Sequence, residues 1–256
     1  MSAGSKGICV IIPAFENAGT IVSVIKGALS YVPDVFVVDD GSTDETASLL
    51  RDLSSQEPRL RVVTHSRNRG KGRAIKDGFL AAKAEGFSVA ITMDADGQHF
   101  PEDIPKFLSV NSMRPDAMIM GSRNISADGM PARNTFANRF SNFWFRFQTG
   151  VDLPDTQSGF RLYQLETLGK MPLLTSRYEA ELELLVFQCW KGVPILSVPV
   201  GVWYPPEGER VTHFRPFLDF ARISVLNCVL CVLAIVYGLP ARFLRYQARL
   251  NRRQIK

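Results

Sequence analysis

The chain has 256 residues, 46% hydrophobic and 21% charged, a composition that gives one or two folded domains and excludes a disordered chain. Four cysteines are too few for a disulfide scaffold, and the short polar opening Met1–Gly7 carries no apolar leader, so a cytoplasmic setting is expected. The net charge of +5 is uneven: residues 215–256 hold eight basic residues and one acid, leaving 22 of the 30 basic and 24 of the 25 acidic residues elsewhere, a net of −2 that excludes a nucleic-acid-binding body and gives the tail a flat anionic partner.

Short apolar runs alternate with helical spacing. Ile8–Ala14 is a continuous apolar run, as in a strand buried on both faces. Thr20–Tyr31 reads as a helix, Val35–Asp40 as a strand ending in two acids, and Thr43–Leu53 as a helix with Ser42 or Thr43 as its N-cap. Arg61–His65 is a third strand. Lys71–Ala84 is a helix after a glycine-rich turn. Ser88–Asp94 and Ala117–Gly121 are the fourth and fifth strands. This alternation predicts an α/β fold with a mostly parallel, Rossmann-like sheet covered by helices on both faces. A catalytic domain is expected over 1–214 and an apolar, basic helical extension over 215–256.

The polar residues collect at the C-terminal ends of the strands, the edge where open α/β sheets bind ligands. Asp94-Ala95-Asp96 sets two carboxylates just past a buried strand, and Gln98 adds an amide oxygen. Such an oxygen cluster suits Mg²⁺ or Mn²⁺ with phosphate oxygens completing the shell. An EF-hand starting at Asp94 fails, because position 6 is His99 and position 12 is Pro105. Asp39 and Asp40, adjacent like charges at a strand end, need donors such as base N–H groups or ribose hydroxyls. Asn68–Arg73 is a basic glycine turn that lets backbone approach a nucleotide. Neither a Walker loop nor G-x-G-x-x-G is present.

In order, the chain carries IPAFEN (12–17), VVDDGSTDET (37–46), NRGKGRAIKDGF (68–79), MDADGQHFPED (93–103), GSR (121–123) and DTQSGFRLY (155–163). This ordered set resembles glycosyltransferase family 2 with a GT-A fold, and within it the dolichyl- and polyprenyl-phosphate sugar synthases, over roughly residues 7–215. The resemblance implies a nucleotide-sugar donor, a divalent metal, inversion at the anomeric carbon and a lipid-phosphate acceptor. By position it implies that Pro13, Glu16, Asp40 and Lys71 line the nucleoside pocket, with Asp39 a substrate-binding candidate as the neighbouring strand-end acid. Asp94, Asp96 and Gln98 would hold metal and diphosphate. Arg123 would lie near the donor phosphates or sugar, and Arg161 with the substrate-binding residues. Arg133, Thr135 and Asn138 resemble an acceptor loop. Arg210-Val211-Thr212-His213 resembles a basic segment closing on pyrophosphate. Two positions depart from the pattern: Glu16-Asn17 stands where the family has Asn-Glu, and His213 where the lipid-phosphate enzymes often have Lys. Asp155 is the candidate base for a hydroxyl acceptor, a residue that only orients donor or acceptor if the acceptor is a lipid phosphate, or else a structural acid paired with Arg161. A lipid phosphate is already anionic and needs no base.

Ile223–Leu239 is a largely apolar run of seventeen residues, interrupted by Asn227 and followed by Pro240, at the lower limit for a span. A span would carry the basic tail away from the cytoplasm, against the positive-inside rule. A helix lying on the cytoplasmic face of an anionic membrane is expected, with docking on the domain or on a second copy in a homodimer as alternatives. The aromatic-rich Phe136–Phe147 stretch gives a second apolar patch or core. Two rival functions are weaker: a nucleotidyltransferase lacks its G-x-G-[ST]-R opening, and a non-catalytic binding module leaves the strand-end acids without a role. A glycosyltransferase using a saccharide or lipid hydroxyl remains the alternative within the class.

Overall fold

A computed structural model describes residues 6–123, 132–169, 175–204, 216–241 and 243–244. In chain order the elements are β1 (Lys6–Ala14), α1 (Ile21–Leu29), β2 (Asp34–Asp39), α2 (Thr46–Gln56), β3 (Leu60–Thr64), α3 (Lys71–Ala84) and β4 (Phe87–Thr92). A single 3₁₀ turn (Pro101–Asp103) then leads into α4 (Ile104–Met113), followed by β5 (Met118–Ser122), α5 (Ala132–Thr149), β6 (Arg161–Gln164) and the one-turn α6 (Leu165–Leu168). Last come α7 (Glu179–Trp190), β7 (Ile195–Pro199) and α8 (Pro216–Leu233), which runs on into a wider turn over Ala234–Gly238.

The strands form one seven-stranded sheet in the order β3-β2-β1-β4-β6-β5-β7. The pairs β1–β2, β1–β4, β2–β3 and β5–β7 are parallel. β6 runs antiparallel to both neighbours, with Arg161 beside Thr92 of β4 and Met120 of β5. The expected α/β fold with a mostly parallel sheet is present, and the five expected strands fall within a residue or two of their expected ends. β6 matters for the site. Because it runs backwards, its first residue lies at the edge where the parallel strands end, so the segment before it joins the loops after β4 and β5.

The alternation along β1 divides the core in two. Cys9 and Ile11 face a cluster with Ile75 and Phe79 of α3, Phe145 of α5, and Leu182, Leu185 and Trp190 of α7. Val10, Ile12 and Ala14 face the other cluster, with Ile21 and Ile25 of α1, Leu50 of α2, and Ile104 and Phe107 of α4. Each fully buried aliphatic or aromatic side chain contributes about 1.5–3 kcal/mol, so both helical layers are anchored to the same strand.

The helix expected from Thr43 starts at Thr46 instead, with Glu45 before it and no side-chain cap. The Ser42 and Thr43 hydroxyls are used elsewhere: Glu16 N–H donates to Ser42 Oγ (2.9 Å), and Thr43 Oγ1 donates to Glu16 Oε1 (2.9 Å). The expected division at 214/215 falls outside the described residues. Beyond it, α8 packs into the first cluster through Leu226 and Leu230, with Ala234 of the turn after it. Asn227, an interruption by sequence, accepts at Oδ1 from Gln148 Nε2 of α5 (2.9 Å). The aromatic stretch on α5 is both core and surface, with Phe145 buried and Phe143 and Phe147 exposed.

Candidate active site

The loop after β1 is fixed by its own polar groups. Asn17 Oδ1 accepts from Phe15 N–H (3.0 Å), and Asn17 N–H donates to Thr46 Oγ1 (2.9 Å). Glu16 takes a positive φ of 54°, which is uncommon for a residue with a side chain. The inverted Glu16-Asn17 order thus puts the turn-forming amide second and ties Glu16 to Thr43. Pro13 sits in β1, paired with Val38.

Asp39 Oδ1 accepts one backbone hydrogen bond, from Ser42 N–H (3.0 Å). Asp40 is filled by the chain itself. Its Oδ1 accepts from Arg69 N–H (2.9 Å) and faces His65 Nδ1 at 2.6 Å, while its Oδ2 accepts from Gly70 N–H (2.7 Å). For Asp40, the chain itself supplies the donors that a strand-end acid requires, from the glycine turn and His65. His65 in turn places Nε2 3.1 Å from Asp77 of α3. Gly70 has φ 100°, and a Cβ there would meet the Ser176 carbonyl oxygen at 2.5 Å, so the turn admits only glycine.

That turn delivers Lys71. Its ammonium sits 2.7 Å from Asp94 Oδ1 and 2.8 Å from Glu181 Oε2. Burial works against its charge, but Asp94 and Glu181 hold it well above the usual lysine range. The Asp94 carboxyl, although buried, is held below its ordinary range chiefly by Lys71. The Asp96 carboxyl is pushed up to about 6 by burial and then by the charge of Asp94. Gln98 N–H donates to Asp96 Oδ1 (3.0 Å) and Trp203 N–H donates to the Gln98 carbonyl (2.9 Å), which clips this loop to residues 201–204. Gly159 lies tight against the pair, since a Cβ on it would meet Asp94 Oδ2 at 2.7 Å and Lys71 Nζ at 3.0 Å.

Among the described residues no group of three or more His, Cys, Asp or Glu side chains gathers to hold a metal. Asp94, Asp96 and Gln98 supply two carboxylates and an amide. Lys71 pairs with one oxygen of Asp94, and Asp96 is raised by its neighbour's charge. That donor set fits a hard dication whose remaining ligands come from substrate phosphate.

Asp155 is enclosed. Its Oδ2 accepts from Arg123 Nε (2.6 Å) and the Arg123 backbone N–H (3.3 Å), and its Oδ1 from Arg123 Nη2 (3.0 Å), Asn138 Nδ2 (2.6 Å) and Gln157 N–H (2.9 Å). Against the opposing effect of burial, these donors, led by the Arg123 guanidinium, hold its carboxyl below the usual carboxylate range. Its partner is thus Arg123 and not Arg161. Arg161 is fully buried and donates to the main-chain carbonyls of Ser158 (2.6 Å), Glu181 (2.6 Å) and Thr156 (3.0 Å). It braces the 155–160 segment from behind.

Arg133 and Thr135 lie in the first turn of α5. Arg210 and His213 fall outside the described residues. The structure thus brings together Asp39, Asp40, Lys71, Asp94, Asp96, Arg123 and Asp155 at one sheet edge. It adds three residues that sequence reasoning missed. His65 directly follows β3 and reads in the sequence as an ordinary strand residue. His99 is buried, its imidazole pushed down by burial, and stacks on Phe160 at 5.2 Å between centroids. Glu181 had one signal, the alternating acids Glu179, Glu181 and Glu183 in an otherwise apolar run.

A sequence model described as Glycosyl transferase family 2 matches residues 9–170. The polyprenol monophosphomannose synthase of Mycolicibacterium smegmatis is 32% identical over 201 residues, covering 75% of this chain and 75% of that one. The human dolichyl-phosphate beta-glucosyltransferase is 27% identical over 244 residues, covering 85% and 74%. The crystal structure of glucosyl-3-phosphoglycerate synthase from Mycobacterium tuberculosis, in complex with Mn²⁺, UDP-glucose and phosphoglyceric acid, superposes with a TM-score of 0.62 at 22% identity, covering 90% of this chain and 79% of that one.

Proposed function

We propose that this chain, which belongs to glycosyltransferase family 2, transfers a sugar from a nucleotide-sugar donor to a polyprenyl or dolichyl phosphate, with inversion, at a membrane surface. Membership makes it a glycosyltransferase. The acceptor class is the one named in the relatives from Mycolicibacterium smegmatis and human. The observation that carries it here is the state of Asp155. Five hydrogen-bond donors, two on Oδ2 and three on Oδ1, fill both of its oxygens and favour its ionised form, so it has no lone pair directed at an incoming hydroxyl. A phosphate acceptor arrives already anionic and needs no proton removed.

The remaining roles follow from charge. Asp39, with Pro13 and Glu16 beside it, lines the nucleoside pocket. Asp40 holds the turn that carries Lys71, and Lys71 keeps a third N–H for a donor phosphate oxygen. Arg123, oriented by Asp155, presents its guanidinium face near the transferred group. A divalent cation, held by Asp94, Asp96 and Gln98, supplies when bound the counter-charge for the departing nucleoside diphosphate. Arg210 and His213 act from the segment that follows residue 204. The test is direct: incubate the purified chain with Mn²⁺, labelled nucleotide sugars and polyprenyl phosphate, with phosphoglycerate and a lipid alcohol as competing acceptors. Label should enter an organic-soluble phosphodiester. Transfer to a hydroxyl acceptor alone would overturn the acceptor assignment.

The membrane contact follows from two faces of one helix. Phe220–Ala241 is long and apolar enough to cross a bilayer by length and composition. Yet Leu226, Asn227, Leu230 and Ala234 are buried against the body, while Val225, Val229, Val232, Ile235 and Val236 are exposed, as are Phe143 and Phe147 on α5. A helix docked along one side lies in the interface, with its bare face toward lipid. The double substitution Val225→Glu/Val232→Glu should lower binding to phosphatidylglycerol vesicles at least tenfold. It should leave stability within about 0.5 kcal/mol, because neither side chain packs in the core. Unchanged sedimentation with vesicles would remove α8 from the contact.

A further inference from the structure

Glu181 has a free oxygen that the diphosphate chemistry does not use. The residue is 7% exposed, and its Oε2 is taken by Lys71 at 2.8 Å. Among the described residues its Oε1 is buried without a hydrogen-bond partner. Two cations among the described residues are committed elsewhere: Arg161 donates to three carbonyls, one of them that of Glu181 itself, and Arg123 grips Asp155. A buried carboxylate oxygen with no donor costs free energy until one arrives.

The missing donor has a definable chemistry. A phosphate oxygen would be repelled, because Glu181 is itself an anion paired with one lysine. A neutral group with an O–H fits. Glu181 stands one ammonium away from Asp94, which is assigned to the diphosphate end. In a nucleotide sugar, the groups found at that remove from the diphosphate are the hydroxyls of the hexose. We propose that Glu181 determines donor specificity, its Oε1 accepting a hydrogen bond from a hydroxyl of the transferred sugar. This rests on the donor being a nucleotide sugar.

Calorimetric titration in Mn²⁺ buffer tests it with UDP, GDP, and their glucose, N-acetylglucosamine and mannose conjugates. The variants are Glu181→Gln and Glu181→Asp, each checked for cooperative thermal unfolding. In Glu181→Gln the amide must turn its oxygen to Lys71, which leaves an N–H where Oε1 stood. The aspartate keeps the charge but withdraws it by one methylene. Either folded variant should bind the nucleoside diphosphate within about threefold of wild type and the matching nucleotide sugar about tenfold more weakly, the size expected for one hydrogen bond to a charged acceptor. One deoxyfluoro analogue of the sugar should cost wild type the same factor and cost the variant nothing. Equal weakening of nucleotide and nucleotide sugar would overturn the proposal, because Glu181 would then act through Lys71 on the diphosphate. A fall in kcat with both affinities unchanged would overturn it too, making Glu181 a base. Wild type that binds no nucleoside diphosphate would instead overturn the donor reading itself.

Discussion

Asp96→Asn should cut turnover by about a hundredfold or more and at the same time stabilise the fold at neutral pH. The two effects have one cause. Asp96 is half-buried beside the Asp94 carboxylate, and burial and that charge push its carboxyl up to about 6. A carboxyl raised in the folded state costs nothing below its unfolded value near 4, where it is protonated in both states. The cost grows as pH rises and is complete above about 6. Each pH unit between those two values adds about 1.36 kcal/mol, which makes the cost of the order of 3 kcal/mol at pH 7.5. Asparagine keeps an oxygen for the Gln98 N–H and removes the charge. Melting without divalent ions should therefore place the variant above wild type at pH 7.5 and level with it at pH 4. Transfer should fall roughly a hundred- to a thousandfold, the usual loss when one preorganised charge at a leaving group is removed. Added Mn²⁺ should raise the melting temperature of wild type and leave the variant unmoved. A variant less stable than wild type at pH 7.5 would show that Asp96 is a structural acid.

Much of this site is visible in the sequence as position but not as partnership. β1, β2 and β4 are legible because strands buried on both faces are unbroken apolar runs. β6 is not: it is four residues long, opens on a buried arginine and runs against its neighbours. α7 is hidden for a different reason. It is buried on nearly every side, so it has no apolar stripe to count, and three glutamates interrupt its apolar run. The acids at the strand ends stand out because charge is unusual there. Their partners do not, because they come from afar: Arg123 and Asp155 are 32 residues apart, and Lys71 and Glu181 are 110 apart. Only the antiparallel return of β6 and the packing of α3 on α7 bring them together. The Asp155–Arg161 pairing suggested by nearness in sequence loses to Arg123, which reaches Asp155 across the sheet edge with two nitrogens.

Asp40→Ala should destabilise the protein by about 3–5 kcal/mol, the range for removing one side of a buried charged contact. Three groups lose their acceptor: the Arg69 and Gly70 amides and His65 Nδ1. The Gly70 amide and His65 Nδ1 are buried, and each such donor left unpaired costs of the order of 1–3 kcal/mol. The loss is directed at the ligand, because Lys71 follows Gly70 and the whole turn hangs on one carboxylate. The urea midpoint should drop at unchanged slope. Hydrogen exchange at Arg69 and Gly70 should quicken, and nucleoside diphosphate affinity should fall with it. Asp39→Asn separates the two neighbours. Asp39 accepts a single backbone hydrogen bond from Ser42, which asparagine can still accept, so stability should move by less than about 1 kcal/mol. If Asp39 receives the nucleoside, affinity should nevertheless fall about tenfold, as for one charged hydrogen bond. The adjacent acids would then divide the work, Asp40 bracing the glycine turn and Asp39 facing the ligand. The opposite pattern, with Asp40→Ala stable yet unable to bind and Asp39→Asn unfolded, would reverse that assignment.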